Sequence, residues 1–326
     1  MHRRFSQIFF ILSCLFHINV GGSVNTTLKN ERKPPDKEGS IMRISSGVEV
    51  KIETVPYVVR LKSSDTSLCT GAIIHDSWVL TAAHCIVDPR YPEDVTIYAG
   101  IDDTSKEQEA QKRIGKNVVI HKDYWAERVA KYDFALVKVE PFKLDDKVKV
   151  LELSDDTWPQ NESMYERKCL AAGWGADDIG RSGVNKLRAL NVTARHGQKG
   201  CKCFRSFHNR RLVCLDSRGK GICKGDSGGA LVCENKGVGV AHIIYSKESC
   251  NPYAFGNIKL TCRDTTGAYM YICPALDWIS QYVPSVPKSP KSCRASSTMS
   301  INILLILVSI IFVNFETIKD QLLSVL

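Results

Sequence analysis

Short runs of apolar residues, separated by turn residues, recur along most of this chain: YVVRL (57–61), GAIIHDSWVLTAA (71–83), VTIYAG (95–100), FALVKV (134–139), ALVC (230–233) and VGVAHIIY (238–245). Runs of this length and spacing predict the strands of an all-β sandwich or barrel. One stretch has a different period. PALDWISQYV (274–283) sets Leu276, Ile279 and Val283 at helical spacing, which predicts a helix closing the β-rich region. The chain carries no internal repeat, and its biased tracts lie towards the ends.

Those ends break the pattern. Residues 1–22 open with His2, Arg3 and Arg4, continue through an apolar stretch at 8–20, and finish on Gly21 and Gly22, with Val20 and Gly22 suited to the −3 and −1 positions of a cleavage site. This is the layout of a secretory signal peptide, and the apolar stretch is shorter than the roughly 20 residues a spanning helix needs. Residues 23–43 are polar, contain Pro34 and Pro35, and lack cysteine, as expected of a detachable pro-segment. At the far end, 284–300 reads as a Pro/Ser/Lys linker. The apolar segment 301–315 within 301–326 is short for a span, so a membrane tether and a patch packed on the domain both stay open.

Composition narrows the class. The 326 residues are 44% apolar and 24% charged, which excludes disorder, collagen and a multi-span membrane protein. Thirteen cysteines without a zinc-type CxxC…CxxC array point to disulfides and an oxidising compartment. The formal charge of +9 falls to +5 once residues 1–43 are set aside, because they hold seven Lys/Arg and three acids. No nucleic-acid partner is expected from that balance. The acidic stretch IDDTSKEQEAQK after Gly100 reads as a solvated loop, so neither a metal nor another cofactor is expected. Sequons at Asn25, Asn161 and Asn191 are candidate glycosylation sites on a secreted surface.

Three segments carry chemistry. LTAAHC (80–85) contains His84, KYDFALVKV (131–139) contains Asp133, and GICKGDSGGALVC (221–233) contains Ser227 among Gly225, Asp226, Gly228 and Gly229. Singly, the first two suit an ordinary His and a turn Asp. The third is a glycine-rich turn able to present free N–H groups to a developing oxyanion. A serine hydroxyl needs a base within hydrogen-bond reach and a third group to orient that base, and these three residues can fill the roles.

In the order His, Asp, Ser, these segments resemble the chymotrypsin/trypsin-like serine peptidase family. The resemblance spans about Ile44 to Val283, one peptidase domain at 44–283. It implies two packed six-stranded antiparallel barrels with a C-terminal helix, and a catalytic His84, Asp133 and Ser227 in the cleft between them. It further implies an oxyanion hole from the N–H groups of Gly225 and Ser227. The implied disulfides are Cys69–Cys85, Cys169–Cys233, Cys223–Cys250, and Cys214 with either Cys201 or Cys203; Cys262 and Cys273 are candidates for each other. SIMR|ISSG (40–47) resembles the family's activation junction. Cleavage after Arg43 would then free the amine of Ile44 to pair with buried Asp226.

The same resemblance sets the expectations for specificity. Gly221 stands six residues before Ser227, where trypsin-like members carry an Asp, and with Ile222 and Gly267 it suggests a neutral pocket for uncharged residues. Aligning VAHIIYS (240–246) with the substrate-binding strand puts Ile244 where a Ser commonly supports the catalytic Asp, and Tyr245 and Ser246 where Trp and Gly are usual. A weakened Asp133 and lowered activity follow from that alignment. The implied partners are protein or peptide substrates, an activating trypsin-like protease and serpin-type inhibitors. The reading is a secreted serine endopeptidase made as a zymogen; the alternative is a protease-like binding protein with little or no catalysis.

Overall fold

The computed structural model describes residues 47–293, apart from 65–67, 127–128, 130, 160–164, 177–184, 205–210, 217–220, 247–249, 251–261 and 263–264. The expectations for the signal peptide, pro-segment, Arg43, Ile44, Asn25, Asn161 and 301–326 lie outside the described residues.

Fourteen strands are formed among these residues. The first eight are β1 (Val48–Glu49), β2 (Val58–Ser63), β3 (Leu68–His75), β4 (Trp78–Thr81), β5 (Val95–Ala99), β6 (Gln111–Ile114), β7 (Asn117–Ile120) and β8 (Ala135–Lys138). The rest are β9 (Glu166–Gly173), β10 (Arg188–His196), β11 (Leu212–Leu215), β12 (Ala230–Cys233), β13 (Lys236–Ser246) and β14 (Thr265–Tyr271). All pairings between them are antiparallel.

They make two sheets. In the second half of the chain, β9, β10, β11, β14, β13 and β12 pair in sequence, and β12 returns to β9, so six strands close into a barrel with β1 added beside the start of β10. Closure removes the exposed edges that an open sheet would leave. The first half runs β6-β5-β2-β3-β4-β8-β7, with no pairing between its outer strands among the described residues: a half-barrel rather than a second closed one. β3 is buried along nearly its whole length because both of its faces are covered, and Ile73 is fully buried with Val59, Leu61, Val79, Leu136 and Val137. The run 71–83 splits at Asp76 and Ser77, a turn between β3 and β4, and reaches His84 through a 3-10 turn.

The closing helix is shorter than its periodicity suggests. Pro274 sits in the first turn of a 3-10 segment (Cys273–Ala275), which leads into α1 (Leu276–Ile279). Leu276, Ile279 and Val283 are nonetheless all fully buried, so the apolar face is as read.

Residues 284–293 do not behave as the linker their composition suggests. Cys293 is bonded to Cys273, and Ser289 donates from Oγ to the Cys273 carbonyl and from N–H to Asp277. Val286 and Cys293 are buried. Replacing both cysteines by serine removes a constraint on the unfolded chain worth about 3 kcal/mol. The expected result is a melting temperature lower by roughly 6–12 °C, measured by thermal unfolding under oxidising conditions.

The other bridges are Cys69–Cys85, Cys169–Cys233, Cys201–Cys214, Cys203–Cys250 and Cys223–Cys262. Two expectations are therefore corrected: Cys223 pairs with Cys262 rather than Cys250, and Cys262 does not pair with Cys273. Cys262 lies just before β14, and the start of that strand packs against Gly221, two residues from Cys223. Cys250 lies just past β13 and is taken by Cys203.

Candidate active site

Sheet register brings His84 and Asp133 together. β4 and β8 pair with Thr81 opposite Ala135, so the residues after one strand meet those before the other. His84 follows β4 in the 3-10 turn Ala83–Cys85, pinned by Cys85 to Cys69 on β3. Asp133 Oδ1 accepts the backbone N–H of His84 at 2.8 Å, and Oδ2 accepts its Nδ1–H at 2.6 Å. The imidazole is thereby fixed in the Nδ1–H tautomer, with Nε2 available as the base.

The electrostatics follow from burial. Asp133 is fully buried, which by itself disfavours its charge, but bonds from His242 and His84 outweigh burial and hold the carboxyl well below the usual range. His84 keeps about 35% of its side chain exposed to the cleft. Burial pulls its proton affinity down, while the bond to Asp133 and the aspartate's charge push it up; the net shift is upward.

Ser227 comes from the other sheet, in the turn just before β12. Thr70 on β3 links the two: its N–H donates to the Ser227 carbonyl at 2.8 Å and its hydroxyl to the Gly225 carbonyl at 2.9 Å, while Thr81 donates to the Thr70 carbonyl. Gly228 has φ +81°, and a Cβ there would stand 2.1 Å from Thr81 Oγ1 and 2.4 Å from the Thr70 carbonyl oxygen. Only glycine lets the serine turn approach the His-bearing sheet this closely. Among the described residues no hydrogen bond joins Ser227 Oγ to His84; such bonds often tighten only when substrate is present.

Asp226 points away from the cleft. Its Oδ1 accepts from Gly175 N–H and its Oδ2 from Cys223 N–H, each at 2.8 Å. It is buried, and among the described residues no cation reaches it. Burial pushes its carboxyl up to about 6 against the two backbone bonds.

The expected pocket residues come together only in part. Gly267 lies against Ile222, since a Cβ at Gly267 would stand 2.6 Å from Ile222 Cγ1, and Gly221 lies beside the Thr265 carbonyl. Ile244 pairs with Gly267, and Ser246 with Thr265, on one face of the β13/β14 ribbon. Tyr245 takes the opposite face, where it stacks edge-on against Phe204 at 4.7 Å. Nor does Ile244 stand beside Asp133: His242, two residues earlier, donates from Nδ1 to Asp133 Oδ2 at 2.7 Å. The expected loss of support for Asp133 is thus corrected.

The sequence offered one faint sign of His242, a lone imidazole inside the apolar run 238–245, a pattern that usually marks a core histidine. His84, Asp133 and His242 each bring a ligand atom to within 4.8 Å of the others, a spacing that could hold a metal ion. Both imidazoles, however, already direct Nδ1 at one carboxylate oxygen, so hydrogen bonding accounts for the cluster. Cys69 and Cys85, near His84, are bonded to each other.

Known proteins resemble this chain over the region that holds both sheets. Coagulation factor XI of Bos taurus is 28% identical over 222 residues, covering 65% of this chain and 33% of that protein. Ovochymase-2 of Mus musculus is 28% identical over 203 residues, covering 60% and 33%. The chain thus spans about a third of the length of these curated relatives. A solved structure of neuropsin, a serine protease expressed in the limbic system of mouse brain, aligns with TM-score 0.59 at 25% identity, covering 73% of this chain and 98% of its own. The Trypsin family model matches residues 44–279, a span that takes in both sheets and all three residues of the His–Asp–Ser set, and the chain therefore belongs to the trypsin family of serine proteases.

Proposed function

We propose that this protein is a secreted serine endopeptidase, made as a zymogen and activated by cleavage after Arg43. The observation that carries the proposal is the buried Asp133 oriented on His84, opposite a serine turn that only glycine can bring so close. Ser227 Oγ attacks the substrate carbonyl while His84 Nε2 takes its proton, giving an acyl-enzyme. The Gly225 and Ser227 N–H groups receive the oxyanion, and His84 returns the proton to the leaving amine. Asp226, buried without a described cation, supports a role for the Ile44 ammonium as its partner. Residues 1–22, the six disulfides and the exposed sequon at Asn191 on β10 support export.

The pocket is neutral. Gly221 provides no carboxylate to a substrate guanidinium, and leaving that charge unpaired costs several kcal/mol. Ile222 fills the space above Gly267, and Ile244 stands on the same ribbon face, so medium aliphatic residues fit better than aromatic ones. The enzyme then does not cut its own Arg43 and depends on another protease. Cleavage profiling of chain cut at Arg43, with Ser227→Ala as control, tests the whole reading; dominant cleavage after Arg or Lys would overturn the pocket assignment. Ile244→Gly is expected to raise cleavage after Phe or Tyr relative to Val by about 10- to 100-fold, read as a ratio of kcat/KM values.

A further inference from the structure

β13 and β14 pair in simple register from Gly239 opposite Tyr271 to Ala241 opposite Tyr269, and resume with Ile243 opposite Ala268. His242 is the extra residue of this bulge. Bulges re-aim a side chain and are enriched beside active sites; this one turns an imidazole out of the strand and onto Asp133. The strand is fixed to the nucleophile turn by Gly228 N–H to the Ala241 carbonyl and by Ala241 N–H to the Gly229 carbonyl. The His242 side chain is only 5% exposed.

The shared acceptor matters most. His242 Nδ1 lies 2.7 Å, and His84 Nδ1 2.6 Å, from the same atom, Asp133 Oδ2. An ionised carboxylate only accepts, so both nitrogens carry protons. The Nε2 atom of His242 is left buried and without a partner among the described residues. A buried polar atom left unsatisfied is a cost, and an apolar side chain would fill the site without it. Among the described residues, Tyr124 is a further titratable group near Asp133, and its hydroxyl senses the carboxylate's charge.

We propose that His242 is a positioning residue of the catalytic centre: by sharing Asp133 Oδ2 with His84, it sets how much of the carboxylate's charge reaches the base. Its kinetic consequence rests on the peptidase reading above; its physical content does not require turnover. Removing the second donor leaves Oδ2 to His84 alone, so His84 holds its proton more strongly and Asp133 is free to turn.

The test uses the full chain, cut after Arg43 and labelled with 15N-histidine. His84 is titrated by NMR in the natural protein and in His242→Leu, His242→Asn and His242→Gln. Asparagine carries an N–H close to the position of Nδ1, whereas glutamine carries it near Nε2. Two deshielded Nδ1–H resonances are expected in the natural protein. His242→Leu should abolish one and move the His84 titration to higher pH by on the order of half a unit to one unit. His242→Asn should restore the original titration and His242→Gln should not, which keeps the comparison informative if the leucine protein fails to fold. In parallel, kcat should fall about 10- to 100-fold in His242→Leu with KM unchanged, and recover in His242→Asn. A His84 titration indifferent to all three substitutions, or equal rescue by Asn and Gln, would overturn the assignment. Absence of turnover with the NMR pattern intact would sink the peptidase reading and leave the role of His242 standing.

Discussion

Chain cut after Arg43 and carrying Ser227→Ala is expected to lose peptide turnover by roughly six orders of magnitude, and His84→Ala by a similar factor. The two losses should not add, because the serine is a nucleophile only when His84 accepts its proton, and His84 has that task only when the serine is present. What remains in either variant is the part supplied by the oxyanion site and by binding, on the order of 10³- to 10⁴-fold over water. A fluorophosphonate probe provides the direct check, since it bonds to an activated serine hydroxyl. Labelling that persists in Ser227→Ala, or that fails in correctly cut natural protein, would favour the protease-like binding protein instead.

The second large effect concerns Asp226. In uncut chain its carboxyl is pushed up to about 6 from an ordinary 3.8. A carboxyl whose folded value is raised contributes stability that is fully present below about 3.8 and is lost as pH rises through 6. At neutral pH the uncut protein therefore carries a penalty of about 3 kcal/mol. Once the Ile44 ammonium reaches the carboxylate, the sign reverses. Cleavage after Arg43 should hardly change the unfolding free energy near pH 4 and should raise it clearly at pH 7, as followed by denaturant unfolding of both forms. Asp226→Asn should remove this pH dependence from the uncut protein, at the cost of setting its amide NH2 against one of the two backbone N–H groups the carboxylate satisfies. It should leave the cut form with activity lower by about 10²- to 10³-fold or more, because the Gly225 and Ser227 N–H groups lose the anchor that orders them. Equal stability of cut and uncut forms across this range would remove Asp226 from the activation step.

Much of the fold, and the approach of His84 to Asp133, was legible in the residues, for identifiable reasons. His84, Asp133 and Ser227 each sit at the end of a buried strand, where a short motif and an apolar run reinforce each other, and ALVC became β12 with the bounds its pattern indicated. β10 escaped notice because Arg188 and Arg195 interrupt RALNVTARH with charges, which pair with Glu49 on one side and with Glu166 and Asp216 on the other. The support of Asp133 was misassigned for a different reason. Aligning VAHIIYS (240–246) with the family's substrate-binding strand put Ile244 at the supporting position, whereas the residue re-aimed onto Asp133 is the one between Ala241 and Ile243, set by partner residues in β14 that the run itself does not contain. The cysteine pairings failed similarly, since Cys250 and Cys262 both flank the same insertion and only the approach of β14 to Gly221 decides between them.

That pair of bridges has a practical corollary for protein engineering. The insertion at 251–261 is entered past Cys250, held to Cys203, and left at Cys262, held to Cys223. With both ends pinned to separate parts of the barrel, adding or deleting residues between them changes little beyond a slowly growing closure entropy, about 0.6 kcal/mol for each doubling of length. The stretch is therefore a natural graft position: foreign sequences could be exchanged between the two bridges while Cys250, Cys262 and β14 stay where they are.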